Sequence, residues 1–159
     1  MLNQIENWID QTLNDFSNRT VPCDQLLTQF AGYYPSDFLS KSYFVVIDEI
    51  PMPDFPELRE AGLGGFLDMK MDGVTYKNTY FIKTVHQNNF ELHFHELVHV
   101  LQWQYLGAQR FISRYIEEMQ KYGYRDAPLE KMAYDLGDHF SKNGEPLDIP
   151  SYVQQKIGD

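Results

Sequence analysis

A single cysteine, Cys23, stands among 159 residues, so no internal disulfide can form and the fold has to hold by packing. Basic side chains are scarce too. Thirteen Lys and Arg against twenty-three Asp and Glu leave a formal net charge of −10, which repels phosphate backbones and anionic membrane surfaces. Neither nucleic acid nor a membrane is an expected partner. No apolar run is long enough to span a bilayer, and the opening Met1-Leu2-Asn3-Gln4-Ile5-Glu6 lacks the basic and apolar regions of a secretion signal. A cytoplasmic location is expected. Repeats, low-complexity tracts and interdomain linkers are missing, and the glycine cluster Gly62-Leu63-Gly64-Gly65 carries no phosphate-loop signature, so it reads as a flexible connection. What the chain does have is 43% apolar and 15% aromatic residues, enough for one domain, residues 1–159, with a real core.

Histidine is also rare, at five residues, yet two of them fall four apart in His95-Glu96-Leu97-Val98-His99. On a helix that spacing offsets the imidazoles by about 40° around the axis and about 6 Å along it, so both rings can reach one ion. Glu96 flanks the pair. Its carboxylate lies beside the place of a water on that ion, close enough to take a proton and angled away from ligation. The neighbouring residues support a helix: Asn88 is placed to cap it, with Glu91 three residues on as in a capping box, and Gly107 supplies a left-handed stop. Phe90, Phe94, Leu97, Val98, Leu101 and Tyr105 recur at helical spacing and are expected to bury one face, leaving His95 and His99 on a polar stripe.

The rest of the chain reads as a mixture of helices and strands. Leu2, Ile5, Ile9, Leu13 and Phe16 mark an amphipathic helix ending near Ser17-Asn18-Arg19, and Asp24 to Phe30 a second, so residues 1–40 are expected to be helical. Residues 42–83 are expected to form a sheet. Ser42 to Asp48 is a strand, Pro56 to Glu60 a single helical turn, and Phe66–Met71 and Val74–Ile82 a hairpin closed by Asp72-Gly73. Asn78 to Ile82 reads as a sheet edge able to accept an extended peptide. After the histidine helix, Phe111, Ile112, Tyr115, Ile116 and Met119 mark another helix closed by Gly123. A further one starts at Asp126-Ala127-Pro128, buries Leu129, Met132, Ala133 and Leu136, and weakens at Gly137. A short segment with Tyr152, Val153 and Ile157 follows.

A catalytic zinc site usually has three protein ligands and one open position. A histidine six residues beyond His99 would complete a metzincin pattern, but Tyr105 stands there and Gln102 stands where that pattern has glycine. His86, His93 and His139 are further candidates, with His93 turned away from the stripe. Cys23 could reach the ion and block it, although a lone buried cysteine is the commoner case. Glu130 is the strongest candidate, near the start of its own helix with Ala133 one turn later leaving room for close helix packing. Tyr134 points to nearly the same face as Glu130, and its hydroxyl could orient a ligand or stabilise an oxyanion. Tyr115, Tyr122 and Tyr124 are equal candidates for that role.

His95-Glu96-Leu97-Val98-His99 followed by Glu130-Lys131-Met132-Ala133 resembles the gluzincin group of zinc metallopeptidases over residues 88–140. The resemblance implies an α+β, zincin-like fold with a small mixed sheet packed on the HExxH helix and on a following glutamate helix. It implies one Zn²⁺ per chain, held by His95, His99 and Glu130, with Glu96 as general base and a peptide or protein as substrate. The family often has an Asp one turn after the glutamate; here Tyr134 occupies that place and Asp135 lies one residue beyond. The competing class is a zinc-containing binding or regulatory protein with the same fold and no catalysis, for which Glu96 has no use.

Overall fold

In the computed structural model, which describes residues 1–158, the β-branched and aromatic run expected as a strand becomes β2 (Tyr43–Ile47). It pairs in parallel with β4 (Thr79–Lys83), placing Phe44 opposite Tyr80 and Val45 opposite Phe81. The short β1 (Val21–Pro22) and β3 (Gly73–Tyr76) add antiparallel on either side, giving a four-stranded mixed sheet in the order β1-β2-β4-β3. Tyr80, Phe81 and Ile82 on β4 are wholly buried. A strand covered on both faces reads as a continuous apolar run, as this one does.

Among the described residues there are eight α-helices: α1 (Leu2–Asp15), α2 (Ser36–Ser40), α3 (Pro56–Leu58), α4 (Gly64–Asp68), α5 (Phe90–Leu106), α6 (Ala108–Tyr122), α7 (Pro128–Ser141) and α8 (Ile149–Ile157). The HExxH pentapeptide lies in the middle of α5, which packs on the β3–β4 hairpin, on α7 and on α8. The expected α+β architecture is therefore the observed one: a mixed sheet against the His95/His99 helix, which in turn contacts the Glu130 helix. Gly107 ends α5 at φ +80, ψ 159, a conformation open almost only to glycine. The same residue is the N-cap of α6.

Several boundaries differ from the sequence expectation, each for a local reason. The cap of α5 is Asn89, whose side chain accepts from the Leu92 N–H at 3.1 Å; Asn88 is enclosed in a preceding turn closed by Asn89 N–H to the His86 carbonyl. Residues His93 to Trp103 of α5 are all buried, so the helix is enclosed on every side and its polar stripe faces α7 in the interior. The glycine cluster is largely helical, since α4 begins at Gly64; Leu63 and Leu67, four residues apart, both bury on one face. Phe66 consequently belongs to a helix. The hairpin is shorter than expected and turns at Lys77-Asn78. Lys77 sits at φ +60 with its ammonium held by Glu6 at 2.8 Å and Asp10 at 2.7 Å. β4 lies between β2 and β3, so the sheet edge is β3 and not residues 78–82. The segment after Pro22 is a 3₁₀ turn over Cys23–Leu26 rather than an α-helix to Phe30.

α7 starts without a cap of its own. Glu118 on α6 supplies one, its carboxylate accepting the Leu129 N–H at 2.8 Å while Arg114 holds the other oxygen at 3.0 Å. Gly137 does not end α7, which continues to Ser141. A Cβ placed on Gly137 would meet Glu91 at 3.6 Å and His95 Cβ at 3.9 Å, ordinary contact distances. The Gly137→Ala variant should therefore gain about 0.5–1 kcal/mol from helix propensity. Urea unfolding measures this, and a loss of stability would mean that α5 and α7 tolerate no added atom there.

Candidate metal centre

The four-residue spacing of His95 and His99 places both rings on the side of α5 that meets α7, and there Glu130 arrives in the first turn of α7. The three side chains converge. His95 Nε2 and His99 Nε2 are 3.2 Å apart, and each lies 3.1 Å from Glu130 Oε1. All three residues are buried, with at most 5% of their surface exposed. Zinc bonds of 2.0–2.1 Å in a tetrahedral set put neighbouring donors about 3.3 Å apart, so this triangle has the size of a metal site. Two imidazole nitrogens and a carboxylate oxygen also make a donor set suited to a divalent transition metal. His95, His99 and Glu130 are thus a group that could hold a metal ion.

The partners behind these atoms fix which lone pairs face inward. Gln102 Nε2 donates to the Leu129 carbonyl at 3.0 Å, so its Oε1 faces His99 Nδ1 at 2.7 Å and must accept from it. That bond leaves Nε2 of a neutral His99 with its lone pair toward Glu130. Tyr115 donates to Glu130 Oε2 at 2.6 Å, leaving Oε1 for the histidines. Behind Glu96, Thr75 on β3 donates to Oε1 at 2.8 Å, while Oε2 lies 3.9 Å from His95 Nε2. Gly73 is what gives Glu96 its room. A Cβ there would sit 3.2 Å from Glu96 Oε2 and 3.2 Å from the Phe81 carbonyl oxygen.

Charge follows this geometry. Burial disfavours an imidazolium at His99, but Glu130 and Glu96 outweigh it and push the pKa up to about 9. Burial likewise opposes ionisation of Glu130, yet His99 and His95 hold its carboxyl well below the usual carboxylate range. Burial raises the pKa of Glu96, partly offset by the two histidines. Without an ion, the triad therefore keeps a proton where a metal would place its positive charge.

The remaining candidates lie elsewhere. His93 faces away from the triad: its Nε2 donates to the Gln87 carbonyl at 2.8 Å, and its Nδ1 accepts from Tyr80 at 2.6 Å. Cys23 is buried beside that same Tyr80 hydroxyl, its thiol pushed up to about 12 chiefly by burial. His86 pairs with Asp72 at 3.3 Å, and His139 meets the Glu145 carbonyl at 2.8 Å. Tyr134 packs its ring against His95, 4.4 Å between centroids, and its hydroxyl is 3.0 Å from that of Tyr124. Tyr122 is exposed. Sequence reasoning missed Gln102, Thr75 and the role of Gly73, and treated Tyr115 only as one of several tyrosines. The i, i+3 relation of His99 and Gln102 was a readable signal for the first; the others depend on contacts between distant elements. Family models, curated proteins and solved structures were compared with the chain, and none matches.

Purified wild type should carry one metal ion per chain and His99→Ala none by elemental analysis. Gln102→Leu, which leaves His99 Nδ1 without its acceptor, should weaken affinity about 10–100-fold. Because His99 must shed its proton before Nε2 can bind an ion, apparent affinity should rise with pH until about 9 and level off above it. Chelator competition at several pH values checks the sign.

Proposed function

We propose that this protein is a zinc-dependent hydrolase that cleaves peptide bonds, working as the gluzincins its motif resembles do. The observation that carries this reading is the Glu96 carboxylate, buried beside the His95, His99 and Glu130 donors with one oxygen tied to Thr75 and the other 3.9 Å from His95 Nε2. A site that only held a metal would gain nothing from a second buried carboxylate there, since desolvating it is costly. Bound zinc would supply a Lewis acid that polarises a carbonyl and acidifies water.

In this reading His95, His99 and Glu130 hold the ion, and Gln102 and Tyr115 keep two of those ligands oriented. Glu96 is the general base: its Oε2 accepts the proton of the attacking water and delivers it to the leaving amine. Burial raises the pKa of this carboxylate and so makes it a stronger base. Thr75 prevents it from swinging away. Tyr134, whose ring packs on His95 and whose hydroxyl pairs with that of Tyr124, would donate to a developing oxyanion.

Glu96→Gln should keep one zinc per chain while kcat/KM on a cleaved peptide falls about 10²–10⁴-fold. Retained turnover in that variant would remove Glu96 from the mechanism.

A further inference from the structure

None of the four side chains at the metal centre is open to solvent in this conformation. His95, Glu96, His99 and Glu130 expose at most 5% of their surface, and the space bordering Glu96, His99 and Glu130 measures about 110 Å³. A cavity of about 150 Å³ is needed to admit benzene, so no peptide fits unless a wall moves. Most of the wall is regular structure: α5 and β3 carry the site itself, and α1 and α6 are continuous helices. The remaining wall is the stretch between Pro51 and Asp72, which contributes Met52, Leu58, Leu63, Phe66 and Leu67.

Residues 52–70 are built as a separate flap. Its two ends are pinned to the β3–β4 hairpin: the Tyr76 hydroxyl donates to the Pro51 carbonyl at 2.7 Å, and the Lys83 N–H donates to the Asp72 carbonyl at 3.0 Å. Between the pins no strand forms, and the backbone closes on itself in short helical turns broken at Gly62, which sits at φ +88. Among the described residues only two hydrogen bonds join the flap to the rest of the chain. Gln120 Nε2 on α6 donates to the Ala61 carbonyl, at the flap's midpoint, at 2.9 Å, and the Tyr76 hydroxyl meets the Met52 sulfur at 3.8 Å. The remaining hold is apolar: Leu58, Leu63 and Leu67 are buried, and Phe66 packs edge-on against Tyr115, 5.8 Å between centroids. On the outer face Arg59 donates to both oxygens of Asp54, at 2.8 and 3.0 Å, and to both of Asp68, at 2.7 and 3.3 Å. One side chain thus ties the two arms of the flap together.

We infer that residues 52–70 are a lid over the metal centre, hinged at its two pinned ends and latched at its midpoint by Gln120, and that its opening admits a ligand to Glu96 and the triad. Segments that move to open a site are drawn from the least stable parts of a fold, and a flap with two outward hydrogen bonds is of that kind. Closed, it keeps bulk water from the reacting groups. A peptide as the ligand rests on the hydrolase reading; the motion does not, and it can be tested without turnover.

The probe is alkylation of the Ile112→Cys variant by iodoacetamide in metal-free protein, followed by peptide mapping. Ile112 is buried in the cavity wall on α6, so its replacement is reached only when the lid is open. Adding Gln120→Ala, a change at an exposed position, should speed labelling there about 3–10-fold and leave the buried native Cys23 as slow as before. No change at position 112, or an equal rise at Cys23, overturns the inference. Hydrogen exchange of the unsubstituted chain keeps it testable if the cysteine variant fails to fold: residues 52–70 should exchange at least about 10-fold faster than α5 and α6, and equal protection overturns the lid. Zinc-loaded enzyme is then assayed on peptides. Faster labelling with no cleavage of any peptide supports the lid and overturns the hydrolase reading. Cleavage with labelling indifferent to Gln120→Ala overturns the lid and leaves the hydrolase reading intact.

Discussion

Glu130 Oε1 lies equally close to two histidine nitrogens, and much of the molecule is arranged so that one oxygen can be there. A carboxylate and two imidazoles in a dry interior lose the solvation of their charged forms. They remain only where every other lone pair and proton has a partner. Tyr115 takes the second carboxylate oxygen, Gln102 takes the far nitrogen of His99, and Leu129 turns Gln102 the right way round. The start of α7, which carries Glu130, is in turn held by the Glu118 carboxylate from α6. Tyr115 and Glu118 tie α6 to α7, Gln102 ties α5 to α7, and the Gln102–His99 bond braces α5 internally.

The same burial that makes these groups costly makes them useful. Charges act more strongly on one another in a low-dielectric interior, and the fixed groups need no reorganisation when charge develops. Glu96 shows this on a small scale. It sits against a glycine because a side chain on Gly73 would occupy its place, and its Oε1 accepts from the Thr75 hydroxyl on β3. An enclosed carboxylate of this kind keeps its position and its raised pKa together.

α5 is enclosed from His93 to Trp103, with the sheet, α7 and α8 around it. That enclosure separates two polar clusters on one helix. His93 joins Tyr80 and Cys23 toward the sheet, while His95 and His99 join Glu130 toward α7. Adjacent helical positions about 100° apart point to different neighbours, so two histidines two residues apart serve unrelated ends. The apolar cavity bordering Glu96 and His99 extends the second cluster into a space shaped by α1, α6 and the segment before β3.

The sequence by itself determined what depends on short spacing. The i, i+4 histidines, Gly107 at the end of their helix, the strand at residues 43–47 and the proline-started helix with Glu130 in its first turn are local patterns with local causes. Tertiary structure decided everything that depends on one segment meeting another. It selected Glu130 from among the possible partners for two histidines, placed Gln102 behind His99 and Tyr115 behind Glu130, made β3 an edge, and moved the hairpin turn to Lys77, where α1 supplies the carboxylates. Asp72-Gly73 illustrates the difference: as a dipeptide it signals a turn, but in the fold Gly73 opens a strand and leaves space for Glu96, 23 residues further along the chain. Local preferences are weak compared with burial and with the need to pair every buried polar group, so where the two conflict the long-range contacts prevail.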